Sequence, residues 1–136
     1  MRRIKVEVDG ASAMGDLEDA VSPATAEAFW QTLPIETDVW QDGWAGLAAV
    51  FEPGGTALAS APDAEAIVCS IYQGTLLLAP RGEKAFLAYG VAEYRDETGT
   101  LYGARVARMR EGWADLRRTL AALVDDGQKR IRITRA

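Results

Sequence analysis

The chain has 136 residues, a net charge of −5 at neutral pH, one cysteine and no histidine, and 49% of it is hydrophobic. That length and apolar content predict one globular domain with a sizeable core. The missing histidines remove the base of a Ser-His-Asp or Cys-His arrangement and, with a lone cysteine, the usual ligand set of a zinc site.

Charge is unevenly laid out. Residues 6–80 carry twelve carboxylates and no basic side chain, while every lysine and arginine falls in residues 2–5 or from Arg81 onward. Two explanations compete: strands of opposite sign pair across a sheet, or an acidic surface faces a cationic partner. Neither favours nucleic acid, since the basic cluster of Arg2, Arg3, Lys5, Lys129, Arg130, Arg132 and Arg135 sits at the termini. Met1-Arg2-Arg3-Ile4 leads into a strand rather than an apolar leader, and no apolar run is long enough to span a bilayer. The expectation is a cytoplasmic protein without a membrane partner.

In chain order, Ile4, Val6 and Val8 alternate with charged residues as in a half-buried strand. Asp9-Gly10 is a hairpin turn signal, and residues 11–17 return as a second strand. Residues 22–51 look like the organising stretch. Ser22-Pro23 predicts a helix start with a serine cap, residues 24–31 continue the helix, and Ala26, Phe29 and Trp30 share one face. Pro34 stops it. Residues 39–51 read as a long strand carrying Trp40, Trp44 and Phe51, with Gly43 and Gly46 marking a bulge or bend.

Residues 52–63 form a loop or flap. Residues 66–72 read as a strand or buried extended run, with Cys69 a buried small hydrophobe. Residues 74–79 and 84–89 make a hairpin around Pro80-Arg81-Gly82. A charged turn at residues 96–99 precedes a strand over 101–109 with Val106 central. A second helix puts Trp113, Leu116, Leu120, Leu123 and Val124 on one stripe, points Asp115, Arg117 and Arg118 away, and ends at Asp126-Gly127. The last strand, over 130–135, has Ile131 and Ile133 on one face and is expected to pair with the first. About eight strands and two helices suit a closed antiparallel β-barrel capped by helices, because closure removes exposed edges.

The chain resembles an uncharacterised bacterial family of small cyclophilin-like β-barrel proteins. The residues carrying this are Thr25, Ala26, Glu27, Ala28, Phe29 and Trp30 with Leu33-Pro34, then Trp44-Ala45-Gly46. Gly74, Thr75, Leu76, Leu77 and Leu78 with Pro80 follow, then Leu87-Ala88-Tyr89-Gly90. Gly99, Thr100, Leu101, Tyr102 and Gly103, and Glu111-Gly112, complete them. The resemblance implies a cyclophilin-like barrel closed by two helices. The chain departs from the family where members often carry histidine: it has Gln41 before Trp44 and Ala104-Arg105 after Gly103. True cyclophilins use an arginine on the strand after the first helix, and residues 6–80 contain none, so the resemblance does not extend to prolyl isomerase chemistry.

Two functions from different classes remain. One is a non-catalytic module binding a small ligand or a partner through Trp40, Gln41, Trp44, Phe51, Tyr89 and Tyr102. For these aromatics, core or rim packing is the competing reading. The other is an enzyme acting on an amide-like bond, pairing Asp42 or Glu52 with Arg105 or Arg108. Here the competing reading is solvated carboxylates at strand ends. No cofactor or metal is expected, and exposed rim aromatics make a homodimer a further expectation.

Overall fold

The computed structural model describes residues 2–59, 65 and 67–136. Alternation builds the first hairpin, β1 (Arg3–Val8) and β2 (Ala11–Leu17). Ile4, Val6 and Val8 are buried inside, and Asp9 and Gly10 turn the chain with φ of 49° and 83°.

Helix α1 (Pro23–Thr32) follows, with Ala26 and Phe29 fully buried. Its start differs from the expected serine cap. The Ser22 hydroxyl donates instead to the Arg105 carbonyl. The Glu65 carboxylate, forty residues on, accepts the free amides of Ala24 at 3.3 Å and Thr25 at 2.8 Å. A carboxylate suits that place because the helix N-terminus carries partial positive charge. Trp30 is half-buried, with the Arg2 and Arg135 guanidinium carbons 5.2 and 4.7 Å from its ring centre.

Residues 39–51 are a hairpin, not one long strand: β3 (Ile35–Gln41) and β4 (Gly46–Phe51) pair with Val39 opposite Phe51. The carboxylate of Asp42 accepts the amides of Trp44 at 2.8 Å and Ala45 at 2.5 Å, closing the turn locally. Gly46 leaves the turn at φ 96° and opens a bulge against the next strand. Beyond it lies a short helix, α2 (Thr56–Ala59). The remainder of the expected flap, residues 60–63, lies outside the described residues.

Two short strands, β5 (Ile67–Val68) and β6 (Ser70–Ile71), flank Cys69, which is half-buried rather than buried. The expected hairpin is β7 (Thr75–Leu78) and β8 (Ala85–Glu93), joined through a 3₁₀ turn at Pro80–Gly82. A small ribbon, β9 (Arg95–Asp96) and β10 (Gly99–Thr100), leads to β11 (Gly103–Met109). Helix α3 (Trp113–Ala121) gives way to α4 (Leu123–Asp126), and β12 (Lys129–Arg135) closes the chain. Leu116, Leu120 and Leu123 are buried as expected, but Val124, in the short α4 that follows Ala122, is 65% exposed.

The strands join in the order β2–β1–β12–β3–β4–β8–β7–β11, and β11 pairs back onto β2. Every pairing is antiparallel, so the result is a closed eight-stranded barrel. The terminal strands are neighbours, with Val6 opposite Ile133. The interior is filled by these strands together with Phe29, Leu116 and Leu120 from the helices. A second core lies outside the wall formed by β4, β8 and β7. There Ala48, Val50, Leu77, Phe86 and Ala88 are covered by Ile71 and Tyr94, with Trp40 and Leu101 partly buried against them. Burial on both faces explains why β4, β7 and β8 read as continuous apolar runs.

Cross-strand pairing accounts for part of the charge layout. Arg3 meets Asp16, Arg132 meets Glu7 and Arg130 meets Asp38, each basic partner lying on a terminal strand. Among the described residues no helix is long and apolar enough to cross a membrane.

Candidate functional site

The β3–β4 turn builds one side of an open groove of about 780 Å³. Residues 70–73 and the end of β8 form the other walls, and Arg95 and Arg117 complete it. Gly90 leaves room for Leu47: a Cβ there would stand 2.6 Å from Leu47 Cδ1 and push that side chain aside. Four large apolar side chains remain exposed here, Trp44 at 58%, Leu47 at 48%, Tyr72 at 76% and Val91 at 87%.

Gln41 anchors the turn. Its side-chain amide donates to the carbonyls of Gly46 at 2.8 Å and Asp42 at 3.2 Å, while its oxygen accepts the Tyr89 hydroxyl at 2.5 Å. Burial pushes the Tyr89 phenol above its ordinary range. Arg117 reaches over from α3 and donates Nε to the Tyr89 carbonyl at 2.7 Å. It therefore does not point away from the barrel as its helical position suggested. Glu93, on the groove wall, accepts the Thr100 hydroxyl at 2.8 Å.

The expected site residues divide. Trp44 lines the groove, and Gln41 supports it from beneath. Trp40 is half-buried against the outer core. Phe51 is 0% exposed and Tyr89 6%, both in the barrel interior, so neither offers a ring to a ligand. Tyr102 is exposed but outside the groove lining.

The carboxylates and arginines of the enzymatic reading are not brought together. Asp42 is spent on its turn, and Glu52 is exposed just past β4. Arg105 and Arg108 share Glu18 at 3.9 and 3.7 Å on β11, which stands four strands from β3 in either direction around the barrel. Among the described residues no cluster of three metal-ligating side chains occurs.

Leu47, Val91, Arg95 and Arg117 were not singled out from the sequence. The only local signal was Arg117 beside Leu116, which places it on the border of the buried stripe.

No family model and no curated protein matches this chain. Solved structures do. McbB in complex with tryptophan superposes with a TM-score of 0.73 at 20% identity, over 97% of this chain and 44% of that one. This chain thus spans less than half of the McbB chain. The hypothetical protein AF2241 from Archaeoglobus fulgidus gives a TM-score of 0.64 at 14% identity, covering 99% of this chain and 95% of that one. A cyclophilin type peptidyl-prolyl cis-trans isomerase of Cryptosporidium parvum, solved with the dipeptide Ala-Pro, gives 0.60 at 11% identity, covering 98% of each chain. At these identities the likeness is one of fold, and the fold of this chain is the cyclophilin-like β-barrel.

Proposed function

We propose that this protein is a non-catalytic binding module whose groove beside Trp44 takes a small molecule with an apolar, ring-bearing body. One observation carries this reading: Trp44, Leu47, Tyr72 and Val91, all large and exposed, gather on one concavity. Apolar surface left in water on one concave site is the usual signature of a ligand seat. The groove volume lies within the range of about 300–1,000 Å³ common to small-molecule sites. A protein partner typically covers about 800 Å² on each side, a broader and flatter surface than this groove. The non-catalytic part of the reading rests on Asp42, whose carboxylate holds the turn, and on the opposite placement of Arg105 and Arg108. In this reading the protein works in the cytoplasm without a cofactor, and a second copy of the chain is an alternative occupant that light scattering detects.

A thermal-shift panel of aryl-alkyl compounds, L-tryptophan and prolyl peptides tests it. L-tryptophan belongs in the panel because McbB, similar in fold, was solved with it. A ligand of the proposed class raises the melting midpoint of the wild type, and Trp44→Ala weakens that ligand at least about tenfold, or about 1.4 kcal/mol. A hit that survives Trp44→Ala unchanged contradicts the placement. A silent panel with cooperative melts contradicts the small-molecule reading and leaves a protein partner in its place.

A further inference from the structure

We infer that the groove selects ligands bearing a single carboxylate beside the apolar body, held by Arg117 and Arg95; this rests on reading the groove as the binding site. The first observation concerns charge. The chain is acidic, and most of its cations are already matched by carboxylates. Arg2 meets Asp19, Arg3 and Arg110 meet Asp16, Arg105 and Arg108 meet Glu18, and Lys129 lies between Asp9 and Asp126. Arg95 and Arg117 have no carboxylate partner among the described residues, and both line the same groove.

The second observation is geometric. The Nε of Arg117 is committed to the Tyr89 carbonyl, which fixes the guanidinium and leaves its two terminal nitrogens for an acceptor. A planar guanidinium presents paired donors that match the two oxygens of a carboxylate. Glu93 also lies in the lining, but it is turned to Thr100 and forms no ion pair with Arg95 or Arg117. The lining therefore carries two guanidinium groups and one carboxylate as its charged side chains at neutral pH. That balance of +1 suits a monoanion and disfavours a dianion such as phosphate, which Glu93 would repel. Apolar neighbours such as Leu47 and Val91 lower the local dielectric once a ligand covers them, which strengthens the attraction.

The experiment compares arylalkanoic acids with their own primary amides, such as 3-phenylpropanoate with 3-phenylpropanamide and indole-3-propanoate with its amide. Affinities are read by calorimetric titration near neutral pH, in low and high salt. In each pair that binds, the acid is expected to bind at least about tenfold more tightly than the amide, with the margin shrinking in high salt. Arg95→Gln, at a side chain that makes no hydrogen bond or ion pair among the described residues, is expected to reduce the margin several-fold. Combining it with Arg117→Gln is expected to abolish the margin. If acid and amide bind alike to the wild type, and Trp44→Ala weakens both, the groove is the site and the inferred carboxylate selectivity is wrong. An acid preference that persists in the double variant also overturns it. If no pair binds, the reading of the groove fails and this inference fails with it.

Discussion

The Tyr89 hydroxyl donates to Oε1 of Gln41 at 2.5 Å, and that one amide also fastens both ends of the Trp44 turn through the carbonyls of Asp42 and Gly46. A buried phenol and two backbone carbonyls are thus satisfied by a single side chain. Gln41→Leu strands the Tyr89 hydroxyl and is expected to cost about 1–3 kcal/mol, and Tyr89→Phe about 1 kcal/mol. The double variant should cost less than the sum, because the two residues share one bond. Urea unfolding of the four proteins measures this; strict additivity would show that the bond carries no energy.

Helix α1 is held by Glu65 rather than by Ser22. Glu65→Ala is expected to lower stability by about 1 kcal/mol, the usual cost of losing a cap. Ser22→Ala is expected to cost about 1–2 kcal/mol for a different reason, the loss of a hydroxyl bond to β11 at a fully buried position. Combining the two should give an additive loss in chemical denaturation, since no group is shared.

Gly112 precedes α3 at φ 84°, and a Cβ there would collide with the Ser12 carbonyl. Gly112→Ala is expected to cost about 2–4 kcal/mol, combining a positive φ with overpacking against backbone. Gly127 has the same φ and nothing near it, but its ψ of −170° lies in a region essentially reserved for glycine, so Gly127→Ala should cost backbone strain of about 1–3 kcal/mol without the overpacking. Equal melting midpoints for the two variants would contradict this.

Asp16 sits on β2 where the barrel closes, pairing with Arg3 of β1 at 2.9 Å and Arg110 at 3.1 Å. Burial pushes its carboxyl up, but the hydrogen bonds from Arg110 and Arg3 outweigh that and hold it below the usual range. A carboxyl lowered in the folded state stabilises fully above its unfolded value, near pH 4, and loses that contribution as pH falls through the folded value. Asp16→Asn is therefore expected to lower the melting midpoint by about 2–5 °C at pH 7, with the difference from wild type shrinking below pH 4. A gap that stays constant to pH 2 would mean the ion pairs contribute nothing.

What was legible in the residues was local. Alternation in Ile4, Val6 and Val8 and in Ile131 and Ile133 identified the terminal strands, and their pairing was expected because both are short, alternating and terminal. The turn at Asp42 was hidden by its flanks: Asp42-Gly43 is a hairpin signal, but aromatic Trp40 and Trp44 made the stretch look continuous. The Glu65 cap was invisible because its partner lies forty residues away, whereas Ser22-Pro23 imitates a local cap. Within the site, Trp44 was legible as an aromatic beside glycines. Arg117 was not, because its direction depends on how α3 rotates against β8. The pairing of Asp42 or Glu52 with Arg105 or Arg108 required strand order, which side-chain period does not encode.

The most direct test of the groove is a nuclear magnetic resonance titration of the ¹⁵N-labelled protein with indole-3-propanoate. The expected result is a set of saturable shifts confined to residues 44–47, 70–73 and 90–95 and to Arg117, with the Trp44 indole N–H among the largest. Shifts centred on α1 or on the outer core around Trp40 and Leu101, or none at millimolar ligand, would contradict the groove as the binding site.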